Sequence, residues 1–352
     1  MTDRPVAASR DDPVRHHVAG SAVVLGNAAG GDGVWLAQGA VVRSIDGAVE
    51  IAAGSNVLEN SVVVGRPSAA TRIGQRTVFG HRCLVMGATV GDLCEVGNGS
   101  VLLPGSVLGD RCFLGEGTVV AAGAVVPDQS VVVGRPGRVI RRAHQGDLDR
   151  LTALRGGSLD LPSPGDLLRM ATGRDSGIDQ QGGPMGRLYE FRGTWPTVAT
   201  TATLFDSAEL TGDVVVGADS IIGSGVKIVG DSHGPVRIGQ RVQILENTVL
   251  HLLPENELVI EDDVIIGPGA MIHGCHLGAG TVVEPGAIVC DWSVLGDHCV
   301  VRAGAVVKQR STFAAGTVVD GFPARAAGTG VGPPDRPTWA LQPGDLATLI
   351  RR

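Results

Sequence analysis

Between residues 20 and 140, and again between 205 and 327, an aliphatic residue returns about every six positions, usually just before Gly or another small residue. The stretches EVGNGSVLLPGSVLGDRCFLGEGTVVAAGAVV (95–126) and LVIEDDVIIGPGAMIHGCHLG (258–278) carry the pattern most plainly. This spacing is too long for one face of a helix and too regular for a series of hairpins. It predicts a solenoid with one short strand per six residues and three strands per coil, each coil stacking on the last by parallel pairing. The aliphatic residue points inward, and Gly or Asn takes the corners that need a positive φ. An antiparallel sandwich is the alternative, but its alternating hairpin signals are missing.

A second, longer repeat lies over the first. SNVLENSVVV (55–64) matches VQILENTVLH (242–251), Cys112 matches Cys299, and VGRPGR (133–138) matches DGFPAR (320–325), all at an offset of 187 residues. RIGQR occurs at 72–76 and 237–241, where the second occurrence corresponds to an earlier coil. Each copy is followed by a polar, Pro-containing segment with a helix candidate, one beginning at Ser163-Pro164-Gly165-Asp166 and the other at Gln342-Pro343-Gly344-Asp345. The chain therefore divides into a first β-helical domain (1–175), a linker (176–195) and a second β-helical domain (196–352).

Composition narrows the function classes. Aromatic residues are only 3% of the 352, Gly accounts for 53, and the mean hydropathy is +0.20. These values suit an all-β chain of short strands and tight turns without an aromatic core. A net charge of −7 with few aromatics argues against a nucleic-acid groove or an anionic membrane surface. The N-terminal segment has no apolar signal region and no stretch approaches a membrane span, so the expected location is cytoplasmic. Six cysteines without a CxxC pair are expected to be reduced and buried.

Both halves resemble the gamma class of carbonic anhydrase. That family's pattern is an Arg-Gly-Asp turn, an Asn-Ile-Gln-Asp/Glu-Asn coil ending in His, then Ile-Gly-His followed five residues later by His-Gly-Cys. The resemblance covers roughly 20–140 and 205–327. It implies an all-β fold of two tandem left-handed parallel β-helix domains, each followed by a short α-helix. It further implies association in which zinc sits between neighbouring subunits, the first and third histidines coming from one and the second from the other.

Placed on this sequence, the pattern is incomplete in each copy. The second copy offers His251 and His273 but has Pro268 in the middle slot; the first offers His81 between Val64 and Met86. Together the copies supply one full set, divided as the family divides it between neighbours. The resemblance thus implies one mixed metal site of His81, His251 and His273, an open three-nitrogen arrangement suited to Zn2+, or to Fe2+ or Co2+. The Arg-Gly-Asp turn is split in the same way, with Arg43 kept in the first copy and Asp231 in the second, which implies a salt bridge between copies. Ser232, His233, Glu255 and Glu257 are the candidates for proton handling, against the alternative that they are ordinary turn residues. Leu58 and Leu245 replace the family's active-site Gln, so the pocket around Leu245, Pro268, Met86 and Val64 is less polar than a carbonic anhydrase pocket.

The expected function is a metal-dependent lyase or hydratase on a small-molecule substrate, either CO2 or a larger molecule undergoing hydration, dehydration, hydrolysis or cyclisation. Two alternatives stay open: a hexapeptide-repeat acyltransferase, and a non-catalytic scaffold with a degenerate site. Self-association through contacts between first and second copies is expected. The sequence does not choose between contact within a chain and contact between chains.

Overall fold

The computed structural model describes residues 16–163, 165–170 and 186–350. Among these the chain is almost all β, with two short helices, α1 (Gln145–Leu154) and α2 (Asp345–Ile350). Strands of mostly two to four residues pair in parallel with the strand one coil further on, forming a β-solenoid. Among the described residues no sheet mixes strands from before and after residue 186. The register makes the repeat physical. Val62 faces Leu84, Leu84 faces Val101 and Val101 faces Val119; Val249, Met271, Ile288 and Val306 pair in the same order, each 187 positions on. Both stacks end in an antiparallel hairpin, Ser130–Gly134 with Gly137–Arg142 and Thr317–Gly321 with Ala324–Thr329.

Each stack is filled from within by the inward aliphatic of every strand. Leu36, Val57, Val63, Phe79 and Leu102 are fully buried in the first, as are Ile222, Ile244, Leu250, Ile266 and Val289 in the second. Each such side chain contributes about 1.5–3 kcal/mol on burial. Asn60 and Asn247, equivalent residues of the LEN motif, take the left-handed corner conformation at φ 57° and 56°. All six cysteines are free; Cys112 and Cys299 occupy matching buried positions and donate to the carbonyls of Pro127 and Ala314.

The two stacks meet along an apolar seam. The first stack presents the outward residues of one strand row, Val62, Val64, Leu84, Met86, Val101 and Val119. The second presents Leu245, Ile265 and Val282 from a different row, and the C-terminal segment inserts Trp339, Ala340 and Leu341 beside them. Close approach depends on Gly269, where a Cβ would stand 3.0 Å from both methyls of Leu84. Polar groups cross the seam at set points. Asn247 Nδ2 donates to the carbonyls of Gly39 and Asn60, and Arg135 donates to the carbonyl of Gly304. At its centre Arg43, 1% exposed, lies 2.5 Å from Glu246, 2% exposed, and also donates to the carbonyl of Trp339.

The first helix lies elsewhere than the Pro-Gly-Asp signal suggests. Residues 165–167 are irregular, and Leu168–Arg169 form an edge strand antiparallel to Ala29 and Gly30. Met170 then buries its thioether against Gly30, which favours the extended path over a helical turn. The helix that follows the first stack is α1, started by a capping box in which His144 and Asp147 satisfy each other's backbone N–H. Arg141 holds the Asp147 carboxyl well below the usual carboxylate range. The second candidate holds, since α2 begins at Asp345 and Arg66 of the first stack pairs with that carboxylate.

A buried arginine without its acid is costly, so Glu246→Ala should lower stability by about 3–5 kcal/mol in urea unfolding. The double change Arg43→Met with Glu246→Leu should recover most of that loss. Additive losses in the double variant would contradict the pairing.

Candidate metal centre

His251 and His273 follow the paired strands Val249–Leu250 and Met271–Ile272 by one position, so they occupy one column on successive coils. His251 N–H donates to the carbonyl of Ile272, which holds the two backbones one strand spacing apart, about 4.8 Å. Both side chains are partly exposed, at 35% and 29%. His273 Nδ1 is buried without a hydrogen-bond partner among the described residues, 3.5 Å from Asp291 Oδ2. Asp291 is itself fixed: its Oδ1 accepts from Leu253 N–H, Gly274 N–H and Asn256 Nδ2. Cys275 offers no competing ligand, because burial and Asp291 push its thiol far up.

The loop 231–235 folds over this column. Its path needs Gly234, where a side chain would overlap the Asn256 carbonyl. Asp231 Oδ1 accepts from the His233 N–H, and His233 Nδ1 comes within 3.3 Å of His251 Nε2. Among the described residues the metal-capable group whose ligand atoms converge is Asp231, His233 and His251; His81 and His273 are not part of it.

His81 sits at a corner of the first stack, 54% exposed, with Nδ1 2.8 Å from Glu59 Oε2. Turning Nδ1 to a carboxylate leaves Nε2 outward, the arrangement usual behind a metal-bound imidazole. The other positions named from sequence separate sharply. Val64 (3% exposed), Met86 (1%) and Leu245 (0%) pack together in the seam, and Pro268 is buried. Arg43 pairs with Glu246, while Asp231 turns to His233 and lies 3.9 Å from His251. Ser232, Glu255 and Glu257 are exposed, Glu255 at a corner with φ 60° and Glu257 near Arg237, whose charged form is held chiefly by Asp213.

Two repeat families match parts of the chain: the bacterial transferase hexapeptide (six repeats) at 274–309, and the hexapeptide repeat of succinyl-transferase at 70–104 and 257–290. The carnitine operon protein CaiE of Escherichia coli is 32% identical over 138 residues, 39% of this chain and 70% of that protein. The chain belongs to the gamma-carbonic-anhydrase-like family of hexapeptide-repeat proteins. A carbonic anhydrase of Geobacillus kaustophilus is 34% identical over 110 residues, 31% of this chain, and the match spans 60% of that protein's length. A putative acetyltransferase of Bacillus cereus superposes at a TM-score of 0.40 with 29% identity, covering 46% of this chain and 88% of that one.

Within the family's left-handed β-helix frame, the duplication register assigns the slots without ambiguity. Val64 pairs with Met86 in the first stack, in the column equivalent to His251 and His273, and His81 is equivalent to Pro268. Residues in slots that face the seam are apolar and buried; residues in slots on free faces are histidines and accessible. Sequence reasoning missed Glu246, Glu59, Asp291 and Trp339. Glu59 and Glu246 had a signal, since both stand in the repeated Leu-Glu-Asn and an arginine in an aliphatic strand requires a buried acid. Asp291 and Trp339 carry no local pattern that marks them.

Asp291→Ala would orphan the N–H groups of Leu253 and Gly274 and remove the carboxylate behind His273. A loss of at least about 1–3 kcal/mol in chemical denaturation is expected. A change within about 0.5 kcal/mol, as for an ordinary surface site, would show that Asp291 does not organise this column.

Proposed function

We propose that the protein is a metal-dependent enzyme of hydratase or lyase type, its ion held by His251 and His273 of one chain and His81 of a second. The observation that carries this is the contrast in exposure. His81, His251 and His273 are 54%, 35% and 29% exposed, whereas the residues in the equivalent seam slots, Val64, Met86 and Pro268, are buried. Within one chain the first stack spends its Val64 and Met86 row on the seam, and its His81 corner is not gathered with His251.

The unpaired faces support a second copy as the partner. Val249, Met271, Ile288 and Val306 are partly exposed, although their equivalents Val62, Leu84, Val101 and Val119 form the seam. On the other side Leu58 and Val78 are partly exposed, although their equivalents Leu245 and Ile265 are buried in it. A second chain docking its first stack on this chain's second stack would use the faces equivalent to those in the seam and bring His81 to the His251 column. Domains that mate in this way are the two halves read from the sequence, 1–175 and 196–352. Whole two-domain chains cannot close a ring of three equivalent domains, so the assembly differs from the family's simple threefold one.

The donor set fits a borderline divalent ion, three neutral imidazoles with one position open, and zinc is the first choice among such ions. Zinc so bound supplies Lewis acidity toward water or a carbonyl group. Glu59 stands 2.8 Å from Nδ1 of His81 and Asp291 3.5 Å from Nδ1 of His273, which leaves Nε2 of each ring as the atom to meet an ion. Leu58, equivalent to Leu245, lines a cavity of about 390 Å3 in the first stack with Val78 and Gly80. It would present an apolar wall where the family has an amide. That wall favours a small molecule larger or less polar than CO2, bound by shape and oriented by the ion.

Zinc that resists chelator dialysis should be present at about one per chain and be lost in His81→Ala, with metal content read by mass spectrometry. Equal retention in wild type and His81→Ala would remove the reading and favour a scaffold with relic histidines.

A further inference from the structure

The geometry points to a second divalent-metal site, formed by Asp231, His233 and His251 and complete within one chain. It shares His251 with the site just proposed but needs neither His81, nor His273, nor a partner.

The loop that carries Asp231 and His233 leaves the strand Lys227–Gly230 and returns against the column of His251. Asp231 fixes the start of this return by accepting the backbone N–H of His233 at 2.9 Å. His233 Nδ1 then lies 2.9 Å from Asp231 Oδ1 and 3.3 Å from His251 Nε2, and Asp231 Oδ2 lies 3.9 Å from the same His251 nitrogen. The imidazoles meet edge-on, 88° apart, so their nitrogens converge instead of stacking. Two nitrogens bound tetrahedrally at 2.0–2.1 Å stand about 3.3 Å apart, which is the separation seen here. The carboxylate adds a third donor on the same side. All three side chains are between one-fifth and two-fifths exposed, open to an ion from solvent.

Two imidazoles and one carboxylate with open positions suit Zn2+, Co2+ or Fe2+ and not the hard oxygen-seeking ions. One imidazole nitrogen cannot serve two centres at once. An ion held here in the separated chain therefore gives up His251, or moves, when a partner supplies His81. The site acts as a place of first capture for the metal, beside the position where the assembled protein uses it.

The test is a Co2+ titration followed by visible d–d absorption in the His81→Ala background, where the shared site is disabled. His81→Ala should still bind one Co2+ per chain, and adding His233→Ala or Asp231→Asn should weaken that binding at least about 10- to 100-fold. His233→Asn serves as a second variant, with thermal unfolding to show that each chain is folded. Cobalt binding in His81→Ala that is absent, or unchanged by every His233 and Asp231 substitution, overturns the site. These outcomes are independent of the chelator-resistant zinc of the wild type, so either site can fail while the other stands.

Discussion

The buried Arg43–Glu246 pair decides which faces of this chain are used up and which remain. Its two charges lie in an otherwise apolar seam, where an unpaired partner would be severely penalised. The pair therefore locks one orientation, the first stack's Val64 and Met86 row against the second stack's Leu245 and Ile265 row. The proposed function rests on what that choice leaves exposed. The mirror-equivalent position, Glu59, is left free to stand behind His81.

On the proposed function, a duplicated interface accounts for the incomplete histidine set in each copy. Once two copies are joined in one chain, the face turned to the seam and the face left outside are different surfaces. The inner one gains from apolar filling by Val64, Met86 and Trp339, and Pro268 is buried as well. A histidine buried there without metal would cost desolvation and gain nothing. The outer one keeps its imidazoles, with Glu59 near His81 and Asp291 near His273, and its partly exposed apolar rows. The same physics that closes the seam thus leaves one set of histidines at the surface.

Much of this was legible in the sequence. The six-residue spacing specifies inward aliphatics and corner residues, because a one-residue slip would turn each core side chain outward. The offset of 187 residues survives as strand register. The complementary histidines were visible as complementary slots. What the sequence did not disclose depends on contacts far apart along the chain. Arg43 chose Glu246, 203 residues away, over Asp231, because the seam brings the Leu-Glu-Asn corner to Arg43 while the Asp231 loop folds back on His251. α1 was placed too late, since a capping box at His144 with Gly146 in its first turn gives a weaker local signal than Pro-Gly-Asp. The approach of His233 to His251 depends on a loop path that Gly234 permits and that no periodicity encodes.

If a second chain completes the site, two differently disabled chains should repair each other on mixing. His81→Ala and His273→Ala should each lack chelator-resistant zinc. Co-refolded or coexpressed, they should regain it, because the His81 of one chain can meet the intact His251 and His273 of the other. A mixture holding no more zinc than the two variants do separately would contradict the account and place any metal within single chains.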